Sequence, residues 1–330
     1  MKEILQYLFE HKTLSRADAK RILIELSTGK YNEHEVTSFM TVYLMRSITL
    51  EELQGFRDAL LELCVQVSLE GIKTIDIVGT GGDGKNSFNI STLACFVVAG
   101  AGGIVAKHGN YGASAISGAS NVMEQLGYKF SNDNSKIEKE ISSAGISFLH
   151  APLFHPALKS VGVIRKNLGL RTFFNMLGPL ANPSKPSFQL IGVYNMEIAR
   201  LYSYLLQLQK QSFAIIHSLD GYDEISLTAD TRVISNGGDK IFDAIALGGQ
   251  LVLPKEIAGG STKEEAATIF LQILNGAGTP AQNAVVCANA AMALYSSGLF
   301  ESYELAFESA QDSLIGKKAL ASFNKLISLQ

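Results

Sequence analysis

The sequence predicts an α/β protein with a small N-terminal helical domain, residues 1–70, and a larger α/β domain, residues 71–330, on a mostly parallel central sheet. Three observations point there. Residues 1–70 repeat apolar side chains at helical spacing and hold little glycine. From Lys73 onward, short apolar β-like runs alternate with helical stretches, the pattern of strand–helix–strand crossovers. One of those runs breaks into a glycine loop that leads into a helix start, which offers backbone N–H groups to an anion.

In the helical part, Ile4, Leu5, Leu8 and Phe9 recur at helical spacing. Ser15-Arg16-Ala17-Asp18 reads as a capped start for a second helix bearing Ala19, Ile22, Leu23 and Leu26, which Gly29 stops. Asn32 to Glu35 starts a third, with Val36, Phe39, Met40, Tyr43 and Leu44, and Thr49 to Glu52 a fourth, with Leu53, Phe56 and Leu60. No cluster here suggests chemistry, so the expected role is packing, dimerisation or both. The face of Phe39, Met40, Tyr43 and Met45 suits a subunit interface and burial within the chain equally well. A segment near 165–185 is expected to join this domain. Beyond it, strands are expected at 75–78, 103–106, 147–149, 189–193, 213–217 and 231–234. Helices are expected at 91–99, 121–126, 136–143, 198–207, 263–275, 281–297 and 301–314.

The chain has 330 residues and a net charge of −3, which argues against a general nucleic-acid or membrane-surface role. Cys64, Cys95 and Cys287 are far apart and form no metal-ligand spacing. Residues 1–6 lack the apolar core of a signal peptide, and the most apolar run, 93–106, is too short and glycine-rich to span a bilayer. The expected compartment is cytoplasmic.

The organising stretch is Asp76-Ile77-Val78-Gly79-Thr80-Gly81-Gly82-Asp83-Gly84-Lys85-Asn86-Ser87-Phe88-Asn89-Ile90-Ser91-Thr92. Strand, glycine loop and helix start follow in order, and the expected ligand is a phosphate or pyrophosphate. Residues 79–84 satisfy G-x-G-x-x-G, but the acidic residue a dinucleotide site wants is missing; the next carboxylate after Asp83 is Glu124. Residues 79–86 nearly satisfy the P-loop pattern, but Asn86 stands where the hydroxyl that holds magnesium belongs. A ligand-free glycine turn is the plain alternative.

No Asp or Glu occurs from Gly84 to Met123 or from Ile141 to Met196. The second run holds His150, His155, Lys159, Arg165, Lys166, Arg171 and Lys185, and such a run suits a cleft that attracts anions. Acids return at Asp220-Gly221-Tyr222-Asp223-Glu224, directly after an apolar strand. Adjacent carboxylates there suit Mg²⁺, although a solvated acidic turn has the same composition. Lys107-His108-Gly109-Asn110 also follows an apolar run. Lys107 could meet a phosphate as a point charge, and Asn110 could orient a second substrate.

Together these motifs resemble the anthranilate phosphoribosyltransferases of tryptophan biosynthesis, over essentially the whole chain. The resemblance rests on Gly79-Thr80-Gly81-Gly82-Asp83, Asn89-Ile90-Ser91-Thr92, Lys107-His108-Gly109-Asn110, Phe174-Asn175-Met176-Leu177-Gly178-Pro179-Leu180-Ala181-Asn182-Pro183 and Asp223-Glu224. It implies a nucleoside phosphorylase/phosphoribosyltransferase-like fold, a site between the two domains, and a homodimer formed through the helical one. It implies transfer of the phosphoribosyl group of phosphoribosyl pyrophosphate to the amine of anthranilate, with Mg²⁺. The residues implied to contact the donor are Gly79, Gly82, Asp83, Ser87, Asn89, Ile90, Ser91, Thr92, Lys107, His108, Gly109, Asn110, Tyr111, Gly112, Ala113, Ser114 and Ala115. Gly79, Asn110 and Arg165 would meet anthranilate, and Ser91, Asp223 and Glu224 the metal. No strong general acid or base is implied, and neither nucleic acid nor a membrane is an expected partner.

The chain departs from the family's usual pattern at Tyr111, Ile116, Ala119 and Asn121, where Arg, Lys, Ser and Asp are common. A donor-contacting hydroxyl is lost at Ala119 unless Ser117 or Ser120 replaces it. Rival readings are a pyrimidine-nucleoside phosphorylase, a nucleic-acid-binding relative of the same fold, and an inactive homologue.

Overall fold

A computed structural model describes residues 1–112 and 116–330, in two units. The helical unit combines two pieces of chain, Met1–Val67 and Ala151–Lys185. Its helices Arg16–Ser27, Glu33–Met45 and Leu50–Leu63 start at the caps the sequence spells out. Ser15 accepts from the Asp18 N–H, and Asn32 with Glu35 and Thr49 with Glu52 close capping boxes. Glu52 is fully buried, yet its carboxylate also accepts from the Leu14 N–H and the Tyr43 hydroxyl and pairs with Arg46. Its charge is thus compensated on several sides, as a buried carboxylate requires.

Phe39, Tyr43 and Phe56 pack edge to face, and Phe173 from the second piece stacks on Phe56 with ring centroids 4.6 Å apart. The face offered above for an interface is therefore divided: Phe39, Met40 and Tyr43 are core, while Met45 is exposed. The second piece begins at Ala151, earlier than the expected 165. The Val65 N–H ties it to the first piece by donating to the Phe154 carbonyl, and the buried His155 ring braces it internally on the Ala181 carbonyl. It also contributes the helix Lys159–Leu168, which the sequence reading did not foresee.

The other unit, Ser68–His150 and Pro186–Gln330, is the α/β unit. Its strands are β1 Ile75–Gly79, β2 Val105–Gly109, β3 Ile146–His150, β4 Phe188–Gly192, β5 Ser212–Ser218, β6 Thr231–Ser235 and β7 Gly238–Phe242. They form one sheet in the order β3-β2-β1-β4-β5-β6-β7. The ladders from β3 to β5 are parallel, and β6 and β7 add an antiparallel ribbon. The expected parallel sheet is present; β7, Gly238-Asp239-Lys240-Ile241-Phe242, escaped notice because it is short, opens on polar residues and is largely exposed. The helix Ile90–Gly100 is buried from Ile90 through Val98 except Ser91, since sheet and further helices cover it on all sides.

The expected strand 103–106 is corrected to Val105–Gly109. Lys107 and His108 lie inside β2, paired with Phe148 and Leu149, rather than in a turn after it. The Lys107 ammonium fits there by donating to the Ile77 carbonyl, and the His108 main-chain N–H donates to Asp76. Chain order runs outward from β1 to β3 on one side and from β4 to β5 on the other. The order thus reverses between β1 and β4, and in such sheets ligands gather beyond the strand ends at the reversal. Among the described residues, no helix is long and apolar enough to cross a membrane.

Candidate active site

β1 and β4 end side by side at Gly79 and Gly192, and the Thr80 N–H reaches back to the Gly192 carbonyl at 2.9 Å. Asp223 sits directly against both glycines. A Cβ on Gly79 would lie 2.5 Å from Asp223 Oδ2, and one on Gly192 would collide with the Asp223 carbonyl. These glycines are there for close approach, a use distinct from the left-handed turns at Gly81 (φ 65°), Gly82 (φ 83°) and Gly84 (φ 74°).

Asp223 Oδ2 accepts from the Gly81 N–H at 2.7 Å, and Glu224 Oε1 from the Ser91 N–H at 3.0 Å. Ser91 lies in the first turn of the helix Ile90–Gly100, so a carboxylate meets the positive end of its dipole. Burial, then the neighbouring Asp83 charge, pushes the Asp223 carboxyl up to about 7. Burial, then Asp223, pushes Glu224 well above the usual carboxylate range. Glu224 Oε2 and Thr80 Oγ1 are buried and make no hydrogen bond among the described residues. Two crowded acids, with an unsatisfied oxygen between a glycine loop and a helix start, fit a divalent cation. Among the described residues no three His, Cys, Asp or Glu side chains converge on one point, so an ion here needs ligand or water oxygens too.

The remaining predicted residues of this unit surround the same strand ends. Asn89 donates its amide to the Ser117 carbonyl at 2.9 Å, and Phe88 is buried beside it. Asn110 is exposed beyond β2. Tyr111 donates its hydroxyl to Glu124, and Asn121 Oδ1 accepts from both the Gly112 and Gly118 N–H groups at 3.0 Å. Asn121 thus ties Gly112 to Gly118; Ala113, Ser114 and Ala115 lie outside the described residues. Lys107, expected at a phosphate, is 2% exposed; its ammonium donates to the Ile77 carbonyl and its charge also acts on Glu224. Of the hydroxyls near Ala119, Ser120 is buried and bonded to the His150 ring, whereas Ser117 Oγ is buried without a partner among the described residues.

Arg165 belongs to the helical unit, on the helix Lys159–Leu168. Its guanidinium donates to Asn175 Oδ1 at 3.2 Å and lies 5.3 Å from the Phe174 ring centroid. It forms no ion pair with an acid among the described residues, and burial lowers its pKa. It is a half-buried cation held in place by an amide and an aromatic face. Sequence reasoning missed Gly192, whose role appears only once β1 and β4 are neighbours, and Asn86, which faces the segment 257–260.

Comparison with known proteins identifies the family. Residues 71–320 match the glycosyl transferase family, a/b domain, and residues 2–64 the glycosyl transferase family, helical bundle domain. The chain belongs to this glycosyl transferase family. Within it, the chain is 56% identical to anthranilate phosphoribosyltransferase of Flavobacterium johnsoniae, over 99% of this chain and 98% of that protein. Its fold matches the crystal structure of anthranilate phosphoribosyltransferase from Thermus thermophilus with a TM-score of 0.91 at 27% identity, covering 98% of each chain. It matches the Saccharomyces cerevisiae enzyme in complex with PRPP and Mg with a TM-score of 0.87 at 27% identity, over 96% of this chain and 93% of that one.

Proposed function

We propose that this enzyme transfers the 5-phosphoribosyl group of phosphoribosyl pyrophosphate to the amine of anthranilate, giving N-(5-phosphoribosyl)anthranilate and pyrophosphate in tryptophan biosynthesis. The observation that carries the reading is the seating of Asp223 and Glu224 on the Gly81 and Ser91 N–H groups at the sheet's reversal point. Acids so placed sit beside the phosphate-binding elements without occupying the whole loop.

The anthranilate amine is weakly basic, so its lone pair is free near neutral pH and attack needs no strong general base. The costly event is cleavage of the bond between the ribose carbon and the pyrophosphate oxygen, through an oxocarbenium-like transition state. Backbone N–H groups of the glycine loop and of Asn89 to Thr92 hold the departing pyrophosphate. Asp223 and Glu224, with Ser91 beside them, would hold Mg²⁺, which when bound offsets charge growing on the leaving group. Arg165 grips the anthranilate carboxylate, and Asn110 orients the ring. That carboxylate, internal to the substrate, takes up the proton the amine loses. Gly79, Gly82, Asp83 and Ser87 complete the donor seat. Ser117, whose hydroxyl has no partner among the described residues, is better suited than Ser120 to replace the one missing at Ala119. The same reading makes the protein a cytoplasmic homodimer that uses the helical unit, where Phe9, Leu44 and Met45 are exposed.

The test is to mix the protein with magnesium, phosphoribosyl pyrophosphate and anthranilate, and follow the loss of anthranilate fluorescence together with pyrophosphate release. Unchanged fluorescence would refute the reading, and phosphorolysis of a pyrimidine nucleoside would put a phosphorylase in its place.

A further inference from the structure

The stretch from Asn86 to Phe88 is stitched to a segment far along the chain. The Gly259 N–H donates to the Asn86 carbonyl at 2.8 Å, and the Phe88 N–H to the Ile257 carbonyl at 3.0 Å. Between them Ser87 and Ala258 form an isolated antiparallel bridge. The Asn86 side chain adds a third link, donating to the Gly260 carbonyl at 3.0 Å. Asn86 is left-handed, at φ 48°, a conformation Asn tolerates better than most residues. Gly259 has no room for a side chain: a Cβ would stand 2.6 Å from the Ser87 carbonyl oxygen. On its other side the segment is tied down by Ile257, which is buried, and by the Ser261 N–H, which donates to Glu265 in the helix Lys263–Leu274.

Given the donor-binding role proposed above for Ser87 to Thr92, we infer that residues 257–260 form a backbone strap that positions the donor seat, with Asn86 as its positioning residue. The glycine loop before Asn86 is flexible by composition, and a helix N-terminus binds phosphate well only if the approach to it is fixed. The strap fixes that approach from one side, and the Asn89 amide on the Ser117 carbonyl fixes it from the other. None of the strap's atoms has to touch substrate. Its effect falls on where the Ser87 and Asn89 groups stand when the donor arrives.

The test compares kcat and both KM values for Asn86→Gly, Asn86→Ala and Gly259→Ala. Glycine accepts φ 48° without strain, so Asn86→Gly removes only the side-chain link. The expected result is a donor KM raised on the order of ten-fold, with the anthranilate KM and the melting temperature close to wild type. Asn86→Ala should add a loss of stability from strain, and Gly259→Ala a larger rise in donor KM. If Gly259→Ala does not fold, Asn86→Gly still decides the matter. A donor KM within two-fold of wild type for Asn86→Gly, or an equal rise in both KM values, overturns the strap. Wild-type protein that does not consume the donor at all overturns the donor-binding role itself, a different result from an active wild type beside an unaltered Asn86→Gly.

Discussion

Asp223 Oδ2 would lie 2.5 Å from a Cβ on Gly79, so the acid occupies space that any other residue at the end of β1 would fill. Gly192 yields the same kind of room to the Asp223 main chain. Gly79→Ala should therefore displace a flexible carboxylate tip, and Gly192→Ala should displace backbone. We expect Gly79→Ala to lower activity at limiting magnesium by roughly 100-fold while its thermal melt stays near wild type. Gly192→Ala should lose both activity and several degrees of melting temperature. A fully active Gly192→Ala would contradict the packing described.

The paired acids give a second expectation. Asp223→Asn combined with Glu224→Gln keeps shape and removes the charges that would hold the metal. The rate should fall by roughly 100-fold or more, and its magnesium titration should flatten. A titration midpoint equal to wild type's would remove the metal role from these residues.

Arg165→Ala should raise the KM for anthranilate by roughly thirty-fold, the cost of removing one partner of a desolvated charge pair, and leave the donor KM within a few-fold. Asn175→Ala should produce a smaller change of the same sign, because Asn175 only steadies the guanidinium. Equal effects on both substrates would sink the assignment.

His155 supplies a pH-dependent expectation away from the chemistry. Burial pushes its imidazole from 6.5 down to about 4. A depressed pKa means the unfolded chain binds the proton more readily, so the associated stability is complete above pH 6.5 and lost as pH falls toward 4. The stability advantage of wild type over His155→Gln should therefore shrink by about 3 kcal/mol across that window. The ring-proton resonance of His155 should titrate with a midpoint near 4; a midpoint near 6.5 would contradict its burial.

Much of the site was legible in the sequence because its parts are local. Glycines 79, 81, 82 and 84, Asn89 to Thr92 and Asp223-Glu224 are each continuous motifs, and helix caps such as Asn32 with Glu35 are written within a single turn. What stayed hidden depends on distance. Nothing around Gly192 says that Asp223 will lean on it, and nothing around Gly259 says that Ser87 will pass beneath it. Lys107 misled for a related reason: a lysine after an apolar run normally marks the strand's end, but here the Ile77 carbonyl on the neighbouring strand lets β2 continue through it. The helix Lys159–Leu168 was missed although Val161, Ile164 and Leu168 stand at helical spacing, because Gly162 and the nearby Pro152 and Pro156 read as loop.

The placement of β1 beside β4 also bears on how the molecule is made. Ile75 pairs with Phe188, and between them the chain builds β2 and β3 and then leaves for the helical unit from Ala151 to Lys185. Contacts so far apart in sequence form slowly, because a long loop must close first. During synthesis the glycine loop emerges well before the strand that lies beside it, and earlier still than Asp223 and Glu224. Until Phe188–Gly192 pairs, β1 presents an open edge to other chains. A nascent or truncated chain ending before β4 thus carries the whole phosphate motif without the neighbours that seat it. Such a fragment should be prone to association and unable to hold the donor.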